Sequence, residues 1–336
     1  MKQAILFPIF IIFAFGCSSG IDFSRQETCM ATFARVTCLG KNQELCRTAL
    51  DKAFGEMERI ENLLSKFKES SDIYRVNNLG ANPVKVSKET FEVIKKVKLF
   101  CEASDGVFDI SISPLLELWG FYNKGKIRSE VSDGVLREKL SLIGSDKIIL
   151  DEDRYTVYFK IPGMAIDLGG VAKGYAVDKA RDVMINLGVK NALINIGGEV
   201  YCLGQGNNRK GWSIGIQHPV RPDKIIAVIN LKDKAVSTSG AYENFVELNG
   251  RRLGHIINPK TGYPVEGELV SVTVVADDCI TTDALATAVF VLGKEKGLTL
   301  LKNFKAEGVL VSRTSDGLEV FATEKLRENL KKINNN

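Results

Sequence analysis

The sequence predicts an α+β fold, a mixed sheet core with packed helices, and three observations carry that reading. Apolar residues recur at three- and four-residue steps early in the chain, alternating apolar segments with turn signals dominate from residue 143 onward, and no repeat or proline-rich linker divides the 336 residues. Leu45, Ala49, Ala53, Met57, Ile60, Leu64 and Phe67 place one apolar stripe on a helix over Gln43–Phe67. Val84 and Val86 alternate before Ser87, which caps a second helix over Lys88–Ala103, with Phe91, Ile94, Val97 and Cys101 facing one way. Ile148–Leu150 and Thr156–Phe159 flank the turn Asp151-Glu152-Asp153-Arg154, and Asn249-Gly250 joins Phe245–Leu248 to Arg252–Ile257 as a hairpin. Leu269–Ala276 alternates as a strand. Val171–Leu187, stopped by Gly188, and Thr282–Leu292 have helical spacing. The early helices read as scaffold, and the strand-rich half is expected to hold the site.

Composition narrows the function. The chain is 45% hydrophobic, enough for a sizeable core, and its net charge of +4 comes without a run of five basic residues, so a nucleic-acid partner is not expected. Two histidines, His218 and His255, cannot build the histidine-rich shells of most catalytic zinc or non-haem iron sites. A metal, if bound, would rest on oxygen ligands. His218, beside Pro219 in a polar stretch, reads as a surface residue.

The first residues have the layout of an export signal. Met1-Lys2 is positive, Ile5 to Ala14 is apolar and too short to span a bilayer, and Ala14-Phe15-Gly16 brings small residues to Cys17. The arrangement resembles a lipobox, with Phe15 large for its place, and predicts cleavage at 1–16, lipidation of Cys17, a tether over 17–28 and a folded domain over 29–330. Simple secretion is the alternative. Six further cysteines, Cys29, Cys38, Cys46, Cys101, Cys202 and Cys279, allow fifteen pairings in an oxidising compartment, and without a C-x-x-C spacing they support neither a zinc nor a redox motif.

Four segments carry small, polar or special-geometry residues that a plain fold would not need. In Ala165 to Asp178 a strand is expected to end at Asp167, a Gly169-Gly170 turn to follow and a helix to begin, so that free helix N–H groups face an anion. Asn195-Ile196-Gly197-Gly198-Glu199 and Ser237-Thr238-Ser239-Gly240 can offer N–H groups and hydroxyls to a phosphate or ribose. Each is equally readable as an ordinary turn. In Thr281 to Thr287, Asp283 and Thr287 stand four residues apart, so on a helix their oxygens share a face and suit a hard cation such as Mg²⁺. N-terminal capping by Asp283 and packing by Thr287 would explain the same residues.

Taken in order, these strings resemble the ApbE family of flavin transferases. Asp167-Leu168-Gly169-Gly170-Val171-Ala172-Lys173-Gly174, NIGG, STSG, His255-Ile256-Ile257-Asn258-Pro259 and TTDALATAVFVLG carry the resemblance downstream. Met30-Ala31-Thr32, Ser65-Lys66-Phe67 with Ser71 and Asn77, and Gly106-Val107-Phe108-Asp109 with Leu118-Trp119-Gly120-Phe121 carry it upstream, so that it spans about Met30 to Gly293. It implies a single ApbE or T-fold-like catalytic unit of two subdomains. It further implies an exported, often lipid-anchored, periplasm-facing enzyme that uses Mg²⁺ to move FMN from FAD onto a threonine or serine hydroxyl of a partner protein, releasing AMP. The partners would be membrane-bound redox subunits. An FAD pyrophosphatase with the same site, or a non-catalytic flavin-binding lipoprotein, are the alternatives.

By the family's motifs Asp283, Thr287 and the Gly170 carbonyl would hold the metal, and Met30, Phe67, Val107, Phe108, Asp109, Asp167, Lys173 and Ile257 would line the FAD site. His255 is the candidate base for the accepting hydroxyl, since an imidazole titrates near neutrality, with Asp167 or a metal-bound water as the other choices. Two departures are visible. Asn258 stands where the family usually has Asp, and Gly170 where others carry Ala, Ser or Thr.

Overall fold

A computed structural model describes residues 21–122, 131–206, 210–240, 245–248 and 251–333. The predicted signal peptide, Cys17 and the Asn249-Gly250 turn lie outside these residues. The chain opens with β1 (Ile21–Cys29) and β2 (Thr32–Gly40), then runs through α1 (Gln43–Leu64), α2 (Asp72–Leu79), β3 (Val84–Lys85), α3 (Lys88–Ala103), α4 (Ser113–Leu118) and α5 (Asp133–Ser141). Next come β4 (Ile148–Asp151), β5 (Thr156–Phe159), α6 (Ala172–Asn186), β6 (Ala192–Ile196), β7 (Glu199–Leu203), β8 (Trp212–Gln217), β9 (Ile225–Leu231) and β10 (Lys234–Gly240). The last part holds β11 (Phe245–Leu248), β12 (Arg251–Gly254), β13 (Leu269–Ala276), α7 (Cys279–Leu292), α8 (Lys294–Asn303), β14 (Glu307–Thr314), β15 (Gly317–Ala322), α9 (Glu324–Arg327) and β16 (Leu330–Lys332).

Eight strands form the main sheet in the order β1-β2-β6-β7-β10-β13-β14-β15. The α+β class is as predicted, but each of these pairings is antiparallel where a mixed sheet was expected. Hairpins account for β1–β2, β6–β7 and β14–β15, and two helices rather than one separate β13 from β14, so the chain re-enters the sheet at the end it left. Helices α1, α6 and α7 cover one face. The three-stranded sheet β16-β9-β8 covers the other. Side-chain alternation then gives two cores: Tyr201 and Leu203 of β7 and Leu310 of β14 face the helices, while Val200, Cys202, Val309 and Val311 face the small sheet.

Three local departures matter for the site. Helix α1 stops at Leu64, not at Phe67, because Ser65 takes an extended conformation and its carbonyl accepts from the Ser71 hydroxyl, which leaves the Phe67 ring 69% exposed. Residues 21–28, expected as tether, are β1, paired residue for residue with β2. Their hairpin tip was illegible because Met30 (φ 51°) and Ala31 (φ 59°) hold left-handed conformations normally filled by Gly or Asn. Finally, the segment before Gly169 is not a strand. The Asn77 amide takes the place of a neighbouring strand, donating to Ile166 O (2.9 Å) and accepting from Ile166 N–H (2.7 Å), and Asp167 N–H donates to Ile110 O (2.7 Å).

Candidate active site

The site is built where α6 and α7 meet backbone to backbone. A Cβ on Gly174 would lie 2.4 Å from Cys279 O, so a glycine here is what lets the two helices touch. Each helix then serves the other's free amides. Asp178 of α6 accepts from Cys279 N–H (2.8 Å) and Ile280 N–H (3.0 Å) at the start of α7, and Asp283 of α7 accepts from Gly174 N–H (3.2 Å) in the first turn of α6. Helix α6 has no side-chain cap, so Asp283 sits at its positive end. The capping of α7 itself falls to Asp278, which accepts from Thr281 N–H, and Asp283 is an interior, 4% exposed position.

Glu199 completes a charged group. It is 5% exposed, Lys173 Nζ donates to its Oε1, and Lys173 Nζ lies 3.9 Å from Asp283 Oδ2. Glu199 Oε2 takes no N–H or hydroxyl donor among the described residues, and the Glu199 side chain faces Asp283. Burial pushes the Glu199 carboxyl up to about 8, against the Lys173 ammonium, which lowers it, and burial likewise raises Asp283. Two buried acids therefore share one ammonium and readily keep a proton, which a bound cation would displace. Such an arrangement invites a further cation.

The oxygens one turn along α7 from Asp283 suit a hard ion. Thr287 lies one turn after Asp283, and its Oγ1 is 3.3 Å from Ser239 Oγ of β10. A Cβ on Gly170 would stand 4.0 Å from Thr287 Oγ1 and 3.2 Å from Phe108 Cε2, which brings the Gly169-Gly170 turn, Phe108 and α7 together. No cluster of three or more His, Cys, Asp or Glu side chains able to hold a metal occurs among the described residues. A cation here would rest on carboxylate, hydroxyl and carbonyl oxygens, the set that Mg²⁺ accepts.

The rim is aromatic and charged. Asp167 Oδ1 accepts from Gly169 N–H (2.6 Å), closing the glycine turn, while its Oδ2 accepts from Tyr122 Oη (2.5 Å) and lies 3.4 Å from Lys66 Nζ. Burial lowers the Lys66 ammonium and raises the Tyr122 hydroxyl. Phe67 meets Tyr122 edge to face at 6.0 Å between ring centres. At the far side, Met30 N–H donates to Glu61 Oε2 (3.2 Å), and Glu61 pairs with Lys68 (3.2 Å) next to Phe67. Met30, Phe67, Asp167, Phe108, Gly170, Lys173, Asp283 and Thr287 thus lie along one continuous run of contacts.

Other expectations come out differently. Asp109 is 8% exposed, and its carboxylate accepts from Ser111 N–H and Oγ and from Ser145 N–H, so its oxygens hold the chain's own turns. Val107 is buried just before Phe108, and the Ile257 side chain packs with Leu115, Trp119 and Leu136. His255 is half-buried on the segment after β12, which Trp119 Nε1–H anchors at Gly262 O (2.7 Å). Asn258 organises that segment, its Oδ1 accepting from Lys260 N–H. The STSG string is strand β10 rather than a phosphate-binding turn, with Ser237 Oγ on Thr282 Oγ1 (2.7 Å) and Ser239 on Thr287. His218 is buried, not a surface residue: its Nδ1 accepts from Val220 and Arg221 N–H. Glu199, Lys66, Tyr122 and the role of Ser239 escaped the sequence reading. Only Glu199 left a signal, an acid heading the otherwise apolar strand EVYCL.

Comparison with known proteins agrees over most of the chain. The ApbE family matches residues 30–310. An FAD:protein FMN transferase of Klebsiella pneumoniae is 35% identical over 268 residues, covering 79% of this chain and 82% of that one, and one of Treponema pallidum is 32% identical over 323 residues, covering 91% and 86%. Among solved structures, the ApbE protein of Thermotoga maritima superposes with a TM-score of 0.84 at 32% identity over 92% of this chain and 99% of that one. The flavin transferase ApbE of Vibrio cholerae does so with 0.82 at 26% identity, over 93% and 100%.

Proposed function

This chain belongs to the ApbE family, and from that membership we propose that it is an FAD:protein FMN transferase that moves FMN from FAD onto a threonine or serine hydroxyl of a partner protein, with release of AMP. The observation that carries the reading is the Lys173 ammonium set between buried Asp283 and Glu199 at the N-terminus of α6, with Thr287 one turn along α7 from Asp283.

Asp283, Thr287 and the Gly170 carbonyl would hold Mg²⁺, which supplies neutralisation of the charge that grows on the diphosphate oxygens as the bond to AMP breaks. Lys173, already drawn to the acids, offers its ammonium to the same oxygens. The uncapped first turn of α6 adds fixed positive potential without reorganisation. The Gly174 N–H holds the Asp283 carboxylate in one orientation. Phe67 presents an exposed ring on which a flat isoalloxazine or adenine can stack, and Met30, Phe108 and Asp167 would complete the binding of FAD. His255 would take the proton of the accepting hydroxyl, a modest demand in a loose phosphoryl-type transfer.

Export and a lipid anchor at Cys17 belong to the same proposal and rest on the sequence layout of residues 1–17, with a membrane-bound redox subunit as the acceptor. The test is intact-mass analysis of a candidate acceptor subunit after incubation with the full chain, FAD and Mg²⁺. A covalent FMN increment on one threonine or serine, with AMP formed in equal amount, is the expected result. Free FMN and AMP with an unmodified acceptor would replace the transferase with a pyrophosphatase, and intact FAD would overturn both.

A further inference from the structure

Six buried cysteines are described, and four make no sulfur–sulfur contact among the described residues: Cys29 faces Glu61, Cys101 and Cys279 lie in the helix-side core, and Cys202 in the core beneath the small sheet. Cys38 and Cys46 do not. Their sulfurs are 2.7 Å apart, each residue is 1% exposed, and they sit eight residues apart on two different elements, the end of β2 and the first turn of α1. Sulfurs that are not bonded keep well beyond this separation, and a covalent bond needs about 2.0 Å. Gly40 makes the room: a Cβ there would press on Cys46 Sγ at 3.2 Å.

We propose that Cys38 and Cys46 form a structural disulfide, one of the fifteen pairings that composition allows. The inference goes beyond the flavin chemistry and needs only an oxidising environment, which export would supply. The step is thiol–disulfide exchange with a small-molecule or protein disulfide. One thiolate attacks that disulfide, the second displaces the mixed intermediate, two thiol protons are lost, and the electron pair leaves on the two thiols of the co-reactant. Burial raises the Cys38 thiol and shields both sulfurs in the folded chain, so the bond forms while the chain folds.

The bond would pin the start of α1 to the sheet where Cys38 pairs across to Ala192 of β6. The opposite end of α1 leads to Phe67, so the cross-link lies a helix length from the site, and its loss should leave catalysis intact.

The full chain is reduced in denaturant, refolded with reduced and oxidised glutathione, then denatured again with N-ethylmaleimide and no reductant, and its peptides are mapped by mass. Expected is alkylation of Cys29, Cys101, Cys202 and Cys279, and of Cys17 where it carries no lipid, with Cys38 and Cys46 in one linked peptide about 2 Da lighter than its dithiol form. Reductant should lower the melting temperature by roughly 5 °C, and Cys38→Ser should abolish that sensitivity while alkylating Cys46. Alkylation of Cys38 and Cys46 as complete as that of the other four, or linkage of either to a different cysteine, overturns the proposal. Peptide mapping of the unsubstituted chain decides the matter even where Cys38→Ser does not fold, and it is independent of any flavin transfer.

Discussion

Asp178 and Asp283 are two buried carboxylates on the two helices that meet at Gly174, and they differ in how fully they are satisfied. Asp178 takes two amides of α7 and the Arg181 guanidinium (3.0 Å). Asp283 takes one amide of α6 and shares the Lys173 ammonium with Glu199, whose second oxygen takes no N–H or hydroxyl donor among the described residues. A saturated buried acid is a joint. An acid group left short of positive charge is a place to bind it.

The sharpest way to break this comparison is Asp283→Ala. Transfer of FMN should fall by at least about 10³-fold, measured as FMN mass on the acceptor, while the far-ultraviolet circular dichroism spectrum is kept. Retention of activity would remove Asp283 from the metal set. Glu199→Gln should come next, keeping the shape but removing the acid that accepts from Lys173 and can ionise beside a cation. Turnover should drop about 10- to 100-fold, and the Mg²⁺ concentration for half-maximal rate should rise, whereas a purely structural role would leave that concentration unchanged. Phe67→Ala should raise the KM for FAD by about tenfold with little effect on melting, because the ring is exposed before FAD arrives.

Asp178 should behave in the opposite way. Asp178→Ala should cost about 2–3 kcal/mol in chemical denaturation while the activity per folded molecule changes less than about twofold. Its pH dependence has a definite sign. Burial pushes the Asp178 carboxyl up to about 6, above the usual value of 3.8. The folded state therefore holds this proton more tightly than the unfolded chain, and the stability it contributes is full below about pH 4 and lost as the pH rises through 6. Denaturation curves of the native chain and of Asp178→Asn at pH 4, 5, 6 and 7 should show their difference shift by on the order of 2 kcal/mol against the native chain. A constant difference would mean that Asp178 titrates alike in the folded and unfolded chain.

Much of this contrast was legible in the residues. Long apolar stripes marked α1 and α3, and Leu269–Ala276 alternates as the strand it forms. The four-residue step from Asp283 to Thr287 puts both on one helix face. What stayed hidden depended on partners far along the chain. The Met30-Ala31 tip carries no glycine, so the sequence shows no turn signal between β1 and β2, and the Asn77 amide that replaces a strand beside Ile166 is 89 residues away. Lys66 and Tyr122 reach Asp167 only because the chain folds back, and no local pattern announces such a meeting. Glu199 alone could have been caught, since an acid at the head of a buried strand needs a reason.

The close approach at Gly174 has a mechanical side. Where helices are separated by side chains, a small displacement of one is absorbed by repacking between them; here the backbone of α6 bears directly on Cys279 O, and nothing compressible intervenes. Any shift of α7 that would tilt Asp283 must also pull Cys279 and Ile280 away from Asp178, so the seat of the cation and the joint of the helices move as one body or not at all. The position of one carboxylate is thereby tied to the contact of two backbones as well as to its own hydrogen bond.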